Sequence, residues 1–391
     1  MKKHIMVTII MLLIVSGLLV VFLQWRRNME NEDRSTDTSK NTVSCESTKP
    51  TEQQKKEQGV SATEAVKGTE KTTEADNTQA GQDISMIFTG DVLFANSFSM
   101  AYGNGGITKV VGSDLLKDLN QANITMVNEE FPFSTRGTQM ENKQYTFRAD
   151  PANVKALQEM GVDIVSLANN HILDFGKDAL EDTFQTLDGA GILYAGAGTT
   201  AERAKACQTI AVNGKKIGFL AASRVIPEGY WNVDDQAPGV FTTYDGTQLC
   251  NALKEAKKTC DYVVAFVHWG VEQQANPEDY QKNLAKQYID AGADLVIGCH
   301  THCLQGIEYY KGKPIYYSLG NFIFGSDINQ SMAVKVTVGA NQSATCQLIP
   351  VYATKGCTMK LDESKSSALY RYMESISNGI QISEDGTVQA K

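Results

Sequence analysis

Five predicted strands of this chain end in the same way, with a polar cluster directly after the last apolar residue. The clusters are rich in Gly, Asn, Asp, Glu and His, and they are Thr89-Gly90-Asp91, Asn128-Glu129-Glu130, Asn169-Asn170-His171 with Asp174, His268-Trp269-Gly270 with Glu272, and Gly298-Cys299-His300-Thr301-His302. In open α/β sheets, ligands bind outside the carboxyl ends of the strands. The pattern therefore predicts that five strand ends converge on one site.

Helical and strand patterns alternate along residues 84–351, with short connections between them. The predicted strands are 84–88, 124–127, 163–167, 192–194, 216–221, 261–267, 295–297, 314–318, 332–338 and 346–351. The predicted helices are 150–160, 179–190, 247–259 and 280–291. Such alternation is typical of a layered α/β domain.

The histidines of the chain concentrate at these strand ends. There are five, of which His4 flanks an N-terminal apolar segment and the other four follow predicted strands, each near Asn, Asp or Glu. A single histidine in such a place is most often structural, but four of four indicate a shared site. Imidazole combined with carboxylate and amide oxygens suits a borderline divalent ion better than calcium. The clusters therefore predict one or two ions of Mn, Zn or Fe.

Cys299 and Cys303 flank two of these histidines and leave two alternatives open. The segment could be an isolated zinc clasp, although structural zinc sites usually have other spacings. A clasp would also leave Asp91, Glu130 and Asn170 without a role. A disulfide between the two cysteines is the other alternative. The eight cysteines contain no CxxC pair, so a scaffold built on disulfides does not fit the chain.

The N-terminal region predicts a membrane anchor, residues 1–27, and a disordered spacer, residues 28–82. Residues 5–23 carry no charge and would span about 29 Å as a helix, enough for the hydrocarbon core. A cleaved signal peptide is the alternative, but the apolar run is long and no small-residue cleavage site follows it. The spacer has no aromatic and almost no aliphatic residue, so it cannot bury a core. The flanking Lys and Arg residues leave the orientation open.

Six motifs stand in order along residues 84–351. They are Thr-Gly-Asp91, Val-Asn128-Glu-Glu130-x-Pro132, Leu-Ala-Asn-Asn170-His171-x-x-Asp174-x-Gly176, Val-His268-Trp-Gly-x-Glu272, Gly-x-His300-x-His302-x-x-Gln305 and Tyr-Ser-Leu-Gly-Asn321-Phe-Ile-Phe. Together they resemble the poly-γ-glutamate capsule biosynthesis (CapA-like) family, which is similar to calcineurin-like metallophosphoesterases. The resemblance implies a layered α-β-β-α sandwich over residues 83–355. Residues 356–391 would be a C-terminal helix and strand extension packed on it.

The resemblance also implies a role for each motif residue. Two ions would be held by Asp91, Glu130, Asn170, His268, His300 and His302. Asp91 and His302 would bind the first ion, Glu130 would bridge, and the other three would bind the second. His171 would be the general acid, oriented by Asp174. Four further residues would bind the substrate, and they are Arg148, Glu272, Ser318 and Asn321. Of these, Ser318 and Asn321 would line the pocket, and Arg148 would meet an anionic substrate.

One residue departs from the phosphoesterase pattern. Leu93 stands where those enzymes place a histidine two residues after the first aspartate, and its side chain cannot bind a metal. The first ion therefore loses a ligand, and the number of ions is left open.

Two functions follow from the resemblance. The first is a metal-dependent hydrolase in which a metal-bound hydroxide attacks a phosphoester, or an amide of a glutamate polymer. The alternative is a non-catalytic metal-binding scaffold or a polymer-binding subunit of a membrane synthase or export complex. Either would be a single-pass membrane protein with an extracytoplasmic domain, and its partners would be other capsule synthase or export subunits. A net charge of −9 excludes nucleic acid as a partner.

Overall fold

The computed structural model describes residues 70–72, 81–234, 236–339 and 342–391. The predicted anchor and most of the predicted spacer lie outside the described residues. Five residues from the spacer range are described, residues 70–72 and 81–82, and the first three form a strand, Glu70–Thr72. Among the described residues, no helix combines the length and the apolar character that crossing a bilayer requires.

The described strands, in chain order, are β1 Glu70–Thr72, β2 Ile84–Val92, β3 Ile124–Glu129, β4 Ile164–Ser166, β5 Leu193–Ala195, β6 Ala197–Gly198, β7 Gln208–Val212, β8 Lys215–Ser223, β9 Gly239–Val240, β10 Tyr262–His268, β11 Leu295–Cys299, β12 Ile307–Tyr310, β13 Lys313–Tyr316, β14 Asn321–Ile323, β15 Ile328–Val338, β16 Ala344–Thr354, β17 Cys357–Lys360, β18 Ile380–Ile382 and β19 Thr387–Ala390. The described α-helices are α1 Asn96–Gly103, α2 Ser113–Gln121, α3 Val154–Glu159, α4 Lys177–Ala190, α5 Ala201–Lys205, α6 Thr247–Lys257, α7 Asp279–Asp290 and α8 Glu363–Ile376.

The strands form two main sheets, which we call the large sheet and the small sheet. The large sheet runs in the order β18-β19-β16-β15-β2-β3-β4-β5, with β14 paired to β2 and β17 paired to β16. The small sheet runs in the order β1-β7-β8-β10-β11-β13-β12. Strands β2 to β5 are parallel to one another, and so are β8, β10, β11 and β13. The mixed α/β class predicted from the sequence is confirmed.

The two sheets share one core, and helices cover the other face of the small sheet. Phe219 and Phe266 point from the small sheet into the same buried cluster as Phe88 of the large sheet. Their neighbours Leu220 and Val267 point the opposite way and pack with α6 and α7 in a second cluster. This alternation follows from the two-residue period of a strand. Helix α4 packs against β5 at one end of the large sheet.

Strand register brings the polar clusters together. In the large sheet Asp91 of β2 stands opposite Asn128 of β3, and β3 is paired in parallel with β4. In the small sheet His268 of β10 stands opposite Cys299 of β11. Because parallel strands end at the same edge of a sheet, each sheet delivers its polar residues to one edge.

Residues 356–391, predicted as a packed extension, contribute strands to the large sheet. β17 pairs with β16, and β19 pairs with β16 further along, with Cys346 opposite Val388. Helix α8 buries Leu369, Tyr370 and Met373 against the core cluster.

Candidate metal centre

Asp91 is fully buried near the end of β2 and is held from three sides. Its Oδ1 accepts a hydrogen bond from Asn128 Nδ2 at 2.9 Å, and its Oδ2 accepts one from the His300 backbone N–H at 3.3 Å. Its own N–H donates to the Gly320 carbonyl at 3.0 Å. His302 Nδ1 lies 3.4 Å from Oδ2. The first strand end is thereby fixed against the histidine loop of the small sheet.

Position 90 requires glycine because the Gly320 carbonyl oxygen lies where the Cβ of any other residue would be. A Cβ at Gly90 would lie 1.8 Å from Gly320 O. We expect Gly90→Ala to lower the free energy of unfolding by about 1–3 kcal/mol, measured by denaturant titration, because the backbone must move to relieve the overlap. The control is Gly189→Ala inside α4, where a Cβ would meet nothing within 4 Å. That variant should be neutral or more stable by about 0.5–1 kcal/mol. Equal losses in the two variants would refute this reason.

Glu130 is the most unusual group of the centre. Its side chain is 1% exposed, and neither carboxylate oxygen has a hydrogen-bond partner. Burial, with the nearby charge of Asp91, raises its pKa well above the ordinary value. His268 Nε2 lies 3.7 Å from Oε1. A buried carboxylate without a partner is costly, and a bound cation would satisfy it.

The second set of ligands surrounds His268. The His268 Nε2 atom lies 2.7 Å from Asn170 Oδ1, and the rings of His268 and His300 are 4.6 Å apart between centroids. His300 Nδ1 is buried and has no hydrogen-bond partner. Burial, together with the nearby charge of His302, lowers the pKa of His300 to about 4. His300 is therefore neutral near pH 7 and offers a free lone pair for a metal.

The six predicted ligands fall into two groups that share Glu130. One ligand atom of each of Glu130, His268 and His300 lies within 4.8 Å of the others, and the same holds for Asp91, Glu130 and His302. Asn170 joins the first group through His268. This is the division between two ions that the resemblance implies, with Glu130 as the bridge, and the individual roles stay predictions.

The loop between β11 and β12 presents its two histidines with a strained backbone. His300 has a φ of 98° and His302 a φ of 54°, both in the left-handed region that side chains rarely adopt. Between them, Thr301 Oγ1 donates to the Cys303 carbonyl at 2.8 Å and lies 2.8 Å from Ser318 Oγ. Ser318 is fully buried, so it supports this loop from inside rather than facing a pocket.

Asn321 fixes the orientation of His302. Its Oδ1 lies 2.8 Å from His302 Nδ1. Burial alone would lower the pKa of His302, but the hydrogen bond to Asp91 and the charge of Glu130 outweigh it and raise the pKa to about 10. With two oxygens facing Nδ1, a proton stays on that nitrogen, and a metal ion bound at Nε2 would displace the second proton that the raised pKa implies.

The positions of Leu93, Cys299 and Cys303 bear on three open questions from the sequence: the number of ions, the zinc clasp and the disulfide. Leu93 is 1% exposed and belongs to the hydrophobic core. Cys299 and Cys303 are both free thiols. Cys299 Sγ lies 3.3 Å from His268 Nδ1 and could join Asp91 and His268 around an ion, whereas none of these groups includes Cys303. The geometry of the described residues therefore favours the shared centre over an isolated Cys-His-Thr-His-Cys clasp.

His171 and Asp174 form a buried pair beside the ligands. His171 Nδ1 lies 2.7 Å from Asp174 Oδ2, which also accepts a hydrogen bond from the Phe147 N–H at 2.8 Å. The carboxylate keeps the proton on Nδ1, so Nε2 is the nitrogen left for proton transfer. Burial lowers the pKa of His171, and Asp174 offsets only part of this effect.

Lys143 completes this network, and no sequence motif pointed to it. Its Nζ forms an ion pair with Asp174 Oδ1 and donates a hydrogen bond to the Asn170 carbonyl. It lies 3.1 Å from His171 Nδ1 and 5.1 Å from the centre of the Trp231 ring. Burial lowers the pKa of Lys143. The lysine therefore places a cation against the backbone of a predicted ligand.

Lys143→Met is expected to lower the free energy of unfolding by about 3–5 kcal/mol, because it leaves the fully buried Asp174 without its cation. Adding Asp174→Asn should recover part of the loss, which a double-mutant cycle by denaturant titration would measure. Lys177→Met, at an exposed lysine of α4, is the control and should stay within about 0.5 kcal/mol of wild type. A loss no larger than that of the control would mean that the buried ion pair contributes nothing.

The structure places the remaining predicted substrate contacts at the surface. Glu272 is exposed, but its charge acts on Glu130 and Lys143, which puts it at the rim of the centre. Arg148 is also exposed, stacks on Phe175 at 4.1 Å and donates to the Arg136 carbonyl at 2.8 Å. None of these contacts of Arg148 involves a predicted ligand.

A cavity lies beside the lysine network. Its volume is about 490 Å³, and its lining includes Met140, Leu173, Tyr230 and Trp231. Trp231 also faces Lys143, so one wall of the cavity touches the network around His171. The space can hold a group larger than a single phosphate.

Comparison with known proteins gives consistent matches. The sequence profile described as bacterial capsule synthesis protein PGA_cap matches residues 85–326. The PGA biosynthesis protein CapA of Bacillus subtilis is 31% identical over 251 residues, which cover 63% of this chain and 66% of that protein. The capsule biosynthesis protein CapA of Bacillus anthracis is 28% identical over 296 residues, covering 73% and 72%. A probable polyglutamine synthesis accessory protein of Mycobacterium tuberculosis is 28% identical over 282 residues, covering 66% and 74%.

Proposed function

The chain belongs to the PGA_cap family of bacterial capsule synthesis proteins, as its motifs predicted, and from that premise we propose that it is a metal-dependent hydrolase in the biosynthesis of poly-γ-glutamate or a related surface polymer. The observation that carries the proposal is Glu130, whose two buried and unpartnered oxygens stand between two groups of histidine and carboxylate ligands. Relatives named for PGA biosynthesis, capsule biosynthesis and polyglutamine synthesis support the biological setting.

The residues of the centre fit a divalent cation. Buried atoms of Glu130 and His300 have no hydrogen-bond partner, and His268 and His302 lie beside them. Three imidazoles with carboxylate and amide oxygens suit Mn, Zn or Fe. A bound cation would supply Lewis-acid activation of water and of the scissile phosphoester or amide. The remaining steps belong to side chains of this chain.

His171 is placed to handle the proton. Hydrolysis adds water across the scissile bond, so the leaving oxygen or nitrogen gains a proton and the attacking water loses one. Asp174 holds the proton of His171 on Nδ1, so Nε2 would take a proton from the attacking water and then give that proton to the leaving atom. Lys143, bound to Asp174, would hold this pair in place.

A second function, a non-catalytic metal-binding scaffold or a polymer-binding subunit, is favoured by one observation. Leu93 replaces the expected ligand and is packed in the core, so the group of Asp91, Glu130 and His302 lacks a second histidine. A centre that binds one ion firmly and a second weakly would still fold and could still bind polymer.

Location and partners form part of the proposal. Residues 1–27 would anchor the protein in the membrane, and the domain would lie outside the cytoplasm beside other capsule synthase or export subunits. The uncharged run of residues 5–23 supports the anchor.

Turnover tests the proposed function. The full chain in detergent would be stripped of metal, loaded in turn with Mn²⁺, Zn²⁺ or Fe²⁺, and assayed on a phosphomonoester, a phosphodiester and poly-γ-glutamate. The hydrolase proposal expects hydrolysis of at least one substrate, lost on chelation and restored by metal. No hydrolysis in any combination, with metal bound, would reject the hydrolase and leave the scaffold.

A further inference from the structure

Arg224 lies one residue beyond the end of β8, at the same edge as the metal centre. Ser223, the last residue of β8, stands opposite His268 in the neighbouring strand β10. The Arg224 N–H donates to the His268 carbonyl at 2.8 Å. The backbone of the arginine is therefore tied directly to that of a predicted metal ligand.

Two tyrosine rings hold the Arg224 guanidinium. Its central carbon lies 4.3 Å from the centre of the Tyr244 ring and 4.8 Å from that of Tyr280. Tyr280 is itself fixed, because its hydroxyl accepts a hydrogen bond from the Gly270 N–H at 2.8 Å. Stacking on aromatic rings orients a guanidinium and leaves its N–H edge free to bind.

That N–H edge has no partner among the described residues. Arg224 forms no ion pair or side-chain hydrogen bond with them, and its Nε is buried without an acceptor. Two other arginines differ, since Arg136 pairs with Asp182 at 2.6 Å and Arg203, also stacked on a tyrosine, donates to the Tyr194 carbonyl at 3.2 Å. A guanidinium that is oriented but unpaired is suited to a planar, bidentate anion such as a carboxylate.

A polar cavity continues from this point. It has a volume of about 240 Å³, and its lining includes Tyr244, Lys205, Asp245, Asn232 and Gln248. Tyr244 lines this cavity and also contacts the Arg224 guanidinium. Lys205 and Asp245 give the lining one positive and one negative charge, so the case for an anion rests on the guanidinium of Arg224.

We propose that Arg224, held between Tyr244 and Tyr280, binds a free carboxylate of a polycarboxylate chain at a position next to the metal centre. The choice of polymer rests on the proposed function, whereas the carboxylate-binding site rests on the arginine itself.

Binding of a defined oligomer tests this inference. The full chain in detergent would be titrated with a γ-linked glutamate decamer and with the same decamer carrying amides in place of its free side carboxylates. One charge-assisted bidentate pair corresponds to roughly a tenfold change in affinity or more. Wild type should therefore prefer the charged decamer, and Arg224→Gln should weaken its binding about tenfold while leaving binding of the amide unchanged.

Matched variants separate this effect from general charge and from misfolding. Arg371→Gln removes an exposed arginine of α8 and should not change affinity at fixed ionic strength. Arg224→Lys keeps the charge and should recover part of the affinity. Thermal unfolding and bound metal would be measured for each, and an affinity loss that follows unfolding would overturn the inference.

The outcomes distinguish this inference from the proposed function. Equal affinities of Arg224→Gln and Arg371→Gln for the charged decamer, or no binding by wild type, would overturn it. An equally large effect of Arg224→Gln on tripolyphosphate binding would overturn the carboxylate assignment. Oligomer binding that depends on Arg224, without hydrolysis of any substrate, would support the inference and reject the hydrolase.

Discussion

Glu130→Gln is expected to weaken the binding of Mn²⁺ or Zn²⁺ by more than about 100-fold. Substitution of groups that merely support a metal ligand typically costs 10–100-fold in affinity, and Glu130 is the residue that both ligand groups share. Glutamine keeps the size of the side chain and removes its negative charge. Isothermal titration of the chelator-treated full chain with each metal would measure the loss.

The neighbouring Glu129 offers a matched control. It too is fully buried with both carboxylate oxygens unpartnered, and burial raises its pKa well above the ordinary value. It belongs to neither of the two ligand groups that share Glu130. Glu129→Gln should therefore leave metal affinity unchanged. Equal losses in the two variants would mean that the affinity reflects general burial of charge and not ligation by Glu130.

His171→Gln should lower the turnover of the metal-loaded protein by about 10²–10⁴-fold, the usual contribution of a general acid or base. Its metal affinity should stay at the wild-type value, because His171 belongs to none of the ligand groups in the described residues. Turnover and metal content would be measured on the same preparation. Glu130→Gln is the contrast, since it should lose metal and turnover together.

Retention of full turnover in His171→Gln would remove the general-acid role. Loss of metal in that variant would instead make His171 a ligand. Lys143 bears on whether His171 is a general acid or a ligand. It binds both Asp174 and the Asn170 carbonyl, and so connects the proton-transfer pair to the ligands.

Much of the centre could be predicted from the sequence because its residues follow strands. A strand end is marked by a change from apolar to polar residues, and parallel pairing then aligns such ends at one edge. Asp91, Asn128, Asn170, His268 and His300 all carry this mark, and the structure brings them together. The proximity of Asp91 and His300 could therefore be predicted although the two residues are far apart in sequence.

Other contributions could not be read in this way. Lys143 lies in a long irregular segment, residues 134–148, where no periodic pattern shows which side chains turn inward. Ser318 was predicted to line the pocket, but its hydroxyl contacts Thr301 and accepts from the Gly320 N–H at 3.2 Å, which only the folded loop reveals. The orientation of Arg224 depends on Tyr244 and Tyr280, which are distant from it in sequence.

Three of the described α-helices were not predicted, α1, α2 and α5, and the first two were missed for a local reason. Helix α1 begins after Ala95 and α2 after Gly112, and neither residue caps the helix with its side chain. The usual start signal of a Ser, Thr, Asp or Asn cap was therefore absent. The predicted helix 150–160 does begin with such a cap, because Asp150 accepts a hydrogen bond from the Ala152 N–H and a proline follows Asp150. The first turn of this helix is a 3₁₀ helix.

Anomalous X-ray diffraction from crystals of the full chain loaded with Zn²⁺ or Mn²⁺ would test the metal centre most directly. A peak is expected about 2.0–2.2 Å from a carboxylate oxygen of Glu130 and from the nitrogens of His268 and His300. A weaker second peak beside Asp91 and His302 would fit the ligand lost at Leu93. A peak held by Cys299 and Cys303, or no peak within reach of Glu130, would contradict the proposed centre.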